Sequence, residues 1–234
     1  MVASFGFLAA LRAWSHGSVS AFPDRLILSM LVSGAFMLLF VALFSWRDKD
    51  WRASLGVQRF PLWPALGWGA AGLAAIYVAN LGLGFISLLI QSDPQAMLRG
   101  DAGWMRKIAT LPWSSILPLS IFIGFYEELF FRGFLLGRVR VALGSSEGAT
   151  PAWRRDVLAV VLVALFFGFG HVYKSVFGMV QTSAIGLVLG GLTLWKKSIW
   201  PAVIAHLTLD GISLAMIKLV GPFLHELIRS QSAP

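Results

Sequence analysis

The sequence of 234 residues contains no cysteine and few charged residues. Without cysteine the chain forms no disulfide, no thiolate metal site and no thiol nucleophile. Only 13% of its residues are charged and 57% are hydrophobic, with a mean hydropathy of +0.76, whereas soluble domains average about 25% charged residues. One soluble core would not bury so much apolar surface, so we expect the chain to lie largely in a lipid bilayer.

Acidic residues are scarcer than basic ones, with 11 Asp and Glu against 19 Lys and Arg, which gives a net charge of +8. A basic excess can indicate nucleic-acid binding, but here the basic residues are spread over short loops between apolar runs. That pattern is typical of loops that face anionic lipid. The sequence therefore favours the lipid bilayer as the partner of these charges, and no nucleic acid.

Six apolar segments predict membrane-spanning helices, which need about 20 mostly apolar residues. They cover residues 26–46, 62–90, 113–136, 157–172, 176–195 and 199–219. Short interfacial helices are predicted at 1–14 and near 104–111, where apolar residues recur at helical spacing. The polar stretch 144–156 is predicted to be a flexible loop. We therefore expect an all-α, polytopic membrane protein that forms a single domain over residues 1–234.

The distribution of basic residues over the loops predicts the orientation in the membrane. The segments 47–59, 138–155 and 196–197 carry ten Lys and Arg, against seven on the opposite side. Because cytoplasmic loops are enriched in these residues, we expect loops 47–59 and 138–155 to lie in the cytoplasm.

Ionisable residues lie inside three of the predicted spans, where each costs roughly 2.5–3.5 kcal/mol on insertion scales and indicates function. One glutamate alone could reach the membrane surface, and one arginine alone could be an anchor. A whole set on three helices favours a functional site. The set is Glu127, Glu128 and Arg132 in the third span, His171 at the end of the fourth, and His206 and Asp210 in the sixth.

Helical geometry organises this set, because residues four apart lie on one face of a helix. Glu128 is therefore expected to pair with Arg132, and His206 is expected to pair with Asp210. Glu127 lies about 100° around the helix from Glu128, so the ion pair leaves Glu127 free to act as a base. At about 1.5 Å per residue, Glu127, His206 and Asp210 fall in the same half of the bilayer.

Hydrolysis by an activated water molecule is the chemistry that these residues support, since the chain has neither cysteine nor an HExxH zinc motif. A buried carboxylate can take a proton from water, and a histidine can share that water. A second histidine, oriented by a group four residues on, can stabilise an oxyanion. Amide hydrolysis fits this design. A metal site built from Glu127, His171, His206 and Asp210 is an alternative use of the same residues.

Three short motifs occur in order, each in or beside an apolar segment. They are EELFFRG at 127–133, FGFGH at 167–171 and HLTLD at 206–210. Together they resemble the CPBP family, which comprises the type II CAAX prenyl endopeptidases and the bacteriocin-processing proteins and is also called the Abi family. The resemblance covers about residues 112–219, and the first two spans match only as generic apolar helices.

The resemblance implies a glutamate-dependent intramembrane endopeptidase that needs no cofactor and no metal ion. Glu127 corresponds to the glutamate that activates water, and His171 to the histidine that shares this water. His206 and Asp210 correspond to the pair that forms the oxyanion site.

Glu128 and Arg132 complete the first motif as supporting residues in this resemblance. Asp210 departs from the asparagine that is usual in CAAX-cleaving members, and an ionised aspartate donates no hydrogen bond. If it is charged, Asp210 is expected to orient or charge His206 rather than to bind the oxyanion itself.

The expected substrate is a membrane-embedded or membrane-associated peptide or protein: a prenylated CAAX tail, a leader peptide or a C-terminal sorting helix. The compact chain and its short N-terminus favour a bacterial member in the inner membrane, and hence a substrate without a prenyl group. Two other classes stay open at this point. One is a bacteriocin immunity or scaffold protein without protease activity, and the other is a transporter or proton relay. The sequence leaves the oligomeric state open.

Overall fold

The computed structural model describes residues 22–90, 105, 108–144 and 151–231, and these residues form helices and short connections without a strand. The helices are α1 (Phe22–Ser45), α2 (Trp51–Ser54), α3 (Leu62–Ile90), α4 (Trp113–Glu128), α5 (Leu136–Gly144), α6 (Ala152–Phe169), α7 (Val176–Lys196) and α8 (Trp200–Gln231). A π-helical segment, Leu129–Leu135, joins α4 to α5. The predicted all-α class is confirmed.

Each of the six predicted apolar segments contains a helix, which agrees with the need of a lipid-embedded backbone to satisfy its own hydrogen bonds. Four helical segments are both long enough and apolar enough to cross a membrane: Arg25–Ser45, Leu62–Ile90, Val176–Lys196 and Trp200–Gly221. The helices of the other two predicted segments, 113–136 and 157–172, do not meet both criteria. Helix α4 has 16 residues before the π-helical segment begins, and α6 opens with three charged residues at positions 154–156.

The boundaries of α6 differ from the prediction at both ends. The helix begins at Ala152, inside the predicted loop 144–156, because the carbonyl of Pro151 accepts hydrogen bonds from the amides of Arg154 and Arg155. It ends at Phe169 rather than at residue 172. Gly170 follows, and the turn after it is closed by a bond from the His171 amide to the Gly168 carbonyl. His171 therefore lies in a turn between α6 and α7.

Two predicted interfacial helices fall wholly or partly outside the described residues. Residues 1–14 lie outside, as do Trp104, Arg106 and Lys107. Ile108 and Leu111 are each 1% exposed and pack with Leu26, Ile116, Leu119 and Leu214. The side-chain ammonium of Lys218 donates to the Ala109 carbonyl at 3.1 Å and also to the Leu111 carbonyl. This segment is therefore fixed against α1, α4 and α8.

The helices pack into one bundle, in which α6 lies against α7 and α8 lies against both α3 and α4. Helix α1 packs on α4 and on the π-helical segment. Small residues allow the closest approaches, as is usual for helices in membranes. A Cβ atom added to Gly186 of α7 would lie 2.9 Å from the Cα and Cβ atoms of Ala164 in α6. The α6–α7 contact therefore requires glycine at position 186.

We expect Gly186→Ala to lower the free energy of unfolding by about 1–3 kcal/mol, because overpacking forces α6 and α7 apart. Gly191→Ala is the matched control on the same helix, because an added Cβ there meets nothing within 4 Å. The control should be neutral or stabilise the helix by up to about 1 kcal/mol. Unfolding of both variants, followed by circular dichroism in detergent micelles, checks the prediction. Equal stability of the two would contradict it.

Candidate active site

Helices α4 and α8 bring the ionisable residues of the first and third motifs together. A Cβ atom added to Gly124 would lie 2.9 Å from the backbone nitrogen and 3.0 Å from the Cα of Leu207. The two helices thus approach almost backbone to backbone. Gly124 lies one turn before Glu128, and Leu207 follows His206 directly, so this contact sets the distance between the carboxylate and the imidazole.

Glu128 is the most buried member of the set, with no exposed surface. Its Oε1 atom accepts a hydrogen bond from Nη1 of Arg132 at 2.7 Å. The same oxygen accepts a second hydrogen bond from Nδ1 of His206, also at 2.7 Å. The predicted contact between Glu128 and Arg132 is confirmed, and the contact with His206 is one that the sequence reasoning missed.

The other ring nitrogen of His206 faces two further carboxylates. Nε2 lies 3.8 Å from Oε2 of Glu127 and 3.6 Å from Oδ2 of Asp210. The prediction that His206 and Asp210 share a helical face is confirmed. However, Nδ1 is held by Glu128, so Asp210 and Glu127 lie together on the Nε2 side of the ring. Asp210 thus contacts His206 as expected, and the role of this contact in orienting or charging His206 stays a prediction.

The exposure of these side chains shows where the cluster opens. The side chain of His206 is 5% exposed, that of Glu127 is 13% exposed, and that of Asp210 is 27% exposed. Oε2 of Glu127 is buried and makes no hydrogen bond, and neither does Oε2 of Glu128. Glu127 therefore has an oxygen that can bind a hydrogen-bond donor, and the cluster is most accessible beside Asp210.

His171 lies one aromatic ring away from His206. Its Nδ1 donates to the Phe167 carbonyl at 2.9 Å, which leaves Nε2 as an acceptor. The ring of Phe167 is 4.9 Å from that of His171 and 5.8 Å from that of His206, edge-on to both. In the described part of the chain, His171 and Glu127 share no hydrogen bond. The structure thus brings His171 to the edge of the cluster rather than into direct contact with Glu127.

Of the aromatic neighbours of the site, the sequence analysis named only Phe167, as the first residue of the FGFGH motif, and Tyr126 and Tyr173 were not identified. The hydroxyl of Tyr126 donates to Oε1 of Glu127 at 3.4 Å. The guanidinium carbon of Arg132 lies 4.4 Å from the ring centroid of Phe167, a cation–π contact in a desolvated place. The ring of Tyr173 lies 5.6 Å from that of His171. The only signal in the sequence is adjacency, since each aromatic residue is within four positions of a site residue.

Helix α1 contributes to the site indirectly, through Tyr126. A Cβ atom added to Gly34 would lie 2.5 Å from the ring of Phe122 and 2.7 Å from that of Tyr126. These two rings are themselves 5.1 Å apart. Helix α1 therefore supports the tyrosine that donates to Glu127.

The described residues include no group of three His, Asp or Glu side chains arranged to hold a metal ion. The alternative in which Glu127, His171, His206 and Asp210 form a four-ligand metal site therefore does not correspond to this arrangement.

Comparison with protein families adds independent information on this cluster. Residues 109–212 match the model of a family described as type II CAAX prenyl endopeptidase Rce1-like. This segment is therefore similar to the Rce1-like family. The resemblance that the three motifs indicated is thus confirmed. The Rce1-like segment contains Glu127, Glu128, Arg132, His171 and the α8 pair of His206 and Asp210, and it begins and ends close to the expected bounds of 112–219.

The Rce1-like match indicates an intramembrane protease of the CAAX prenyl endopeptidase type. Together with the four long apolar helices, it supports an integral membrane protein that acts on a membrane-associated protein substrate. Searches among curated proteins and among solved structures found no match to the chain.

We expect Arg132→Met to lower the free energy of unfolding by about 3–5 kcal/mol, because it leaves the buried carboxylate of Glu128 without its guanidinium partner. Arg140→Met is the matched control. Arg140 pairs with Asp156 at 2.8 Å, but these side chains are 35% and 30% exposed, so that change should cost about 0–1 kcal/mol. Unfolding midpoints in the same detergent compare the two variants. Similar losses would show that burial of the Glu128 pair is unimportant.

Proposed function

We propose that the chain is a glutamate-dependent intramembrane endopeptidase, in which Glu127 activates the water that cleaves a peptide bond. The observation that carries this proposal is the difference between the surroundings of the two adjacent carboxylates, Glu127 and Glu128. Glu128 is fully buried and accepts hydrogen bonds from Arg132 and His206 through one oxygen. Oε2 is buried without a hydrogen bond in both carboxylates, but only the Glu127 side chain is partly exposed, at 13%, and it faces Nε2 of His206. Only Glu127 is therefore placed to accept a proton from water.

In the proposed reaction a water molecule binds between Glu127 and His171, whose Nε2 is an acceptor. Glu127 takes one proton from this water, and the oxygen attacks the carbonyl carbon of the scissile peptide bond. The carbonyl oxygen becomes an oxyanion. When the tetrahedral intermediate collapses, the C–N bond breaks, and the proton held by Glu127 passes to the leaving amine.

His206 is proposed to donate to the oxyanion through Nε2–H. Because Nδ1–H donates to Glu128, this role requires an imidazolium with a proton on both nitrogens. The formal charges agree with that state. Glu127, Glu128 and Asp210 carry three formal negative charges against the two positive charges of Arg132 and of Lys174, which interacts with Asp210, and buried charges need partners. Asp210 then acts by charge on His206, which is a role that an ionised aspartate can fill.

The position of the site suggests how a substrate reaches it. His206 lies six residues after Trp200 at the start of α8, or about 9 Å along the helix, and the cluster is most open beside Asp210. We propose that the cleaved bond enters from the Asp210 side, about 15 Å along α8 from Trp200, which places the reaction inside the membrane rather than at the α7–α8 connection. A leader peptide or a sorting helix fits such an entry as well as a lipid-modified tail does.

Glu127→Gln should lower the rate of peptide-bond cleavage by at least about 10²-fold, because general base catalysis typically contributes 10²–10⁴-fold. The amide keeps the shape of the side chain but accepts no proton. The measurement compares membrane and secreted peptides, by mass spectrometry, in a deletion strain that carries either the wild-type or the variant gene. The substrate is the peptide that the wild type shortens and the deletion strain leaves intact.

Asp50→Asn is the control for this experiment, since Asp50 is exposed in the connection between α1 and α2. It should leave cleavage unchanged. Comparable unfolding midpoints must show that the Glu127→Gln protein is folded. Full cleavage by a folded Glu127→Gln variant would refute the proposal. If that variant also retained protection against a bacteriocin, an immunity protein without protease activity would be the better description.

The proposed chemistry needs no metal ion, so cleavage by the purified protein should be the same with and without a chelator. The assay uses the substrate peptide identified in cells, with the protein dialysed against EDTA before reconstitution. Activity that disappears in EDTA and returns with zinc would overturn the metal-free mechanism while leaving the protease assignment intact.

A further inference from the structure

Four tryptophans each stand next to a basic residue that contacts their ring. The distances from the charged group to the ring centroid lie between 3.4 and 5.5 Å, within the range of cation–π contacts. The pairs are Trp46–Arg47 at 5.5 Å, Trp51–Arg52 at 5.3 Å, Trp153–Arg154 at 5.2 Å and Trp195–Lys196 at 3.4 Å. Neither the site nor the proposed reaction uses these residues.

The fold brings these four pairs to one end of the bundle. The connection after α1 meets the start of α8, where the Ile199 amide donates to the Gly56 carbonyl at 3.0 Å. Helices α6 and α7 run antiparallel, with Gly190 beside Val160 and Gly186 beside Ala164. The start of α6 therefore lies beside the end of α7. We call this end of the bundle, with its four pairs, the tryptophan–cation face.

Positive charge dominates the tryptophan–cation face. Its described segments carry ten basic residues: Arg47, Lys49, Arg52, Arg59, Arg138, Arg140, Arg154, Arg155, Lys196 and Lys197. They carry three acidic residues, Asp48, Asp50 and Asp156, so the local formal charge is 10 − 3 = +7. Asp156 is already paired with Arg140 and Arg155. The other basic groups supply a surface that fits an anion.

Large, exposed apolar side chains lie next to the basic residues of the tryptophan–cation face. The exposed fractions are 74% for Trp46, 64% for Trp153 and 65% for Trp195. Leu43 and Phe44, one turn inside α1, are 60% and 59% exposed. A ligand that contacts both the basic groups and the exposed apolar side chains must combine an anionic group with an adjacent apolar body. Inorganic phosphate has no apolar body, and a nucleic acid offers aromatic bases but no aliphatic chain to cover side chains such as Leu43. A phospholipid has both an anionic group and an aliphatic body, and tryptophan is enriched at the level of lipid headgroups.

We propose that the tryptophan–cation face binds the headgroups of anionic phospholipids, with the tryptophan rings at the headgroup level and the guanidinium and ammonium groups on the lipid phosphates. This surface is separate from the candidate active site, and the inference does not depend on the proposed protease function.

The test measures thermal unfolding of the full chain in mild detergent with added lipid. The probes are dioleoyl phosphatidylglycerol and dioleoyl phosphatidylcholine, which share acyl chains and differ in headgroup charge. We expect phosphatidylglycerol to raise the unfolding midpoint by several degrees more than phosphatidylcholine does. Because salt screens exposed charges, the difference should shrink markedly between 0.05 and 0.5 M salt, conditions that span Debye lengths from roughly 14 to 4 Å.

Arg47, Arg52 and Arg154 are exposed and lie outside the candidate site, so their triple change to glutamine isolates the effect of charge. The Arg47→Gln/Arg52→Gln/Arg154→Gln protein should keep its response to phosphatidylcholine and lose at least half of the extra shift with phosphatidylglycerol. The triple change to lysine is the matched control, and it should keep the full extra shift because it retains the charge.

Three results would overturn the inference. One is an equal response of the wild-type protein to both lipids. Another is a full phosphatidylglycerol shift in the triple glutamine protein. The third is an equal shift with a soluble anion, either glycerol phosphate or a short RNA, because it would show that the face recognises negative charge without the apolar body of a lipid.

Discussion

The site depends on one buried carboxylate, Glu128, which holds both Arg132 and His206 through a single oxygen. A buried charge is tolerated only when it is paired and hydrogen-bonded. Arg132 supplies the charge partner within the same helical run, and His206 supplies a second donor from α8. Glu128 thereby fixes the imidazole ring and ties the first motif to the third. This contact leaves Nε2 of His206 facing Glu127 and Asp210.

Two features of the backbone allow Glu128 to contact both His206 and Arg132. Gly124 lets α4 approach the backbone of α8, and the π-helical segment Leu129–Leu135 carries Arg132 beside Glu128. π-Helical insertions are frequent at functional sites, where they change the direction of side chains. Arg132 is also covered by the ring of Phe167. Four elements, namely α4, the π-helical segment, α6 and α8, thus surround the buried charges of Glu128 and Arg132. In a single helix this pair of charges would be unstable in lipid.

The sequence predicted much of the fold because lipid imposes a simple rule on it. Segments of sufficient apolar length must be helical, and each of the six predicted segments contains a helix. The errors are at the ends of α6 and at the end of α8, which runs to Gln231 rather than residue 219. Pro151 starts the helix early and Gly170 stops it early, and both act through local hydrogen bonds that hydropathy does not detect. The roles of Glu127, His171, His206 and Asp210 in catalysis stay predictions.

The sequence by itself determined the class of the protein, the set of ionisable residues and the pairs that lie four positions apart on one helix. It did so because charge in lipid is costly and because helical spacing is fixed. Only the tertiary structure decided that Glu128 holds Nδ1 of His206, that Glu127 and Asp210 share the other side of the ring, and that Phe167 contacts both histidines. These contacts join different helices. Their register is set by close glycine contacts and by connecting turns, which helical spacing does not specify.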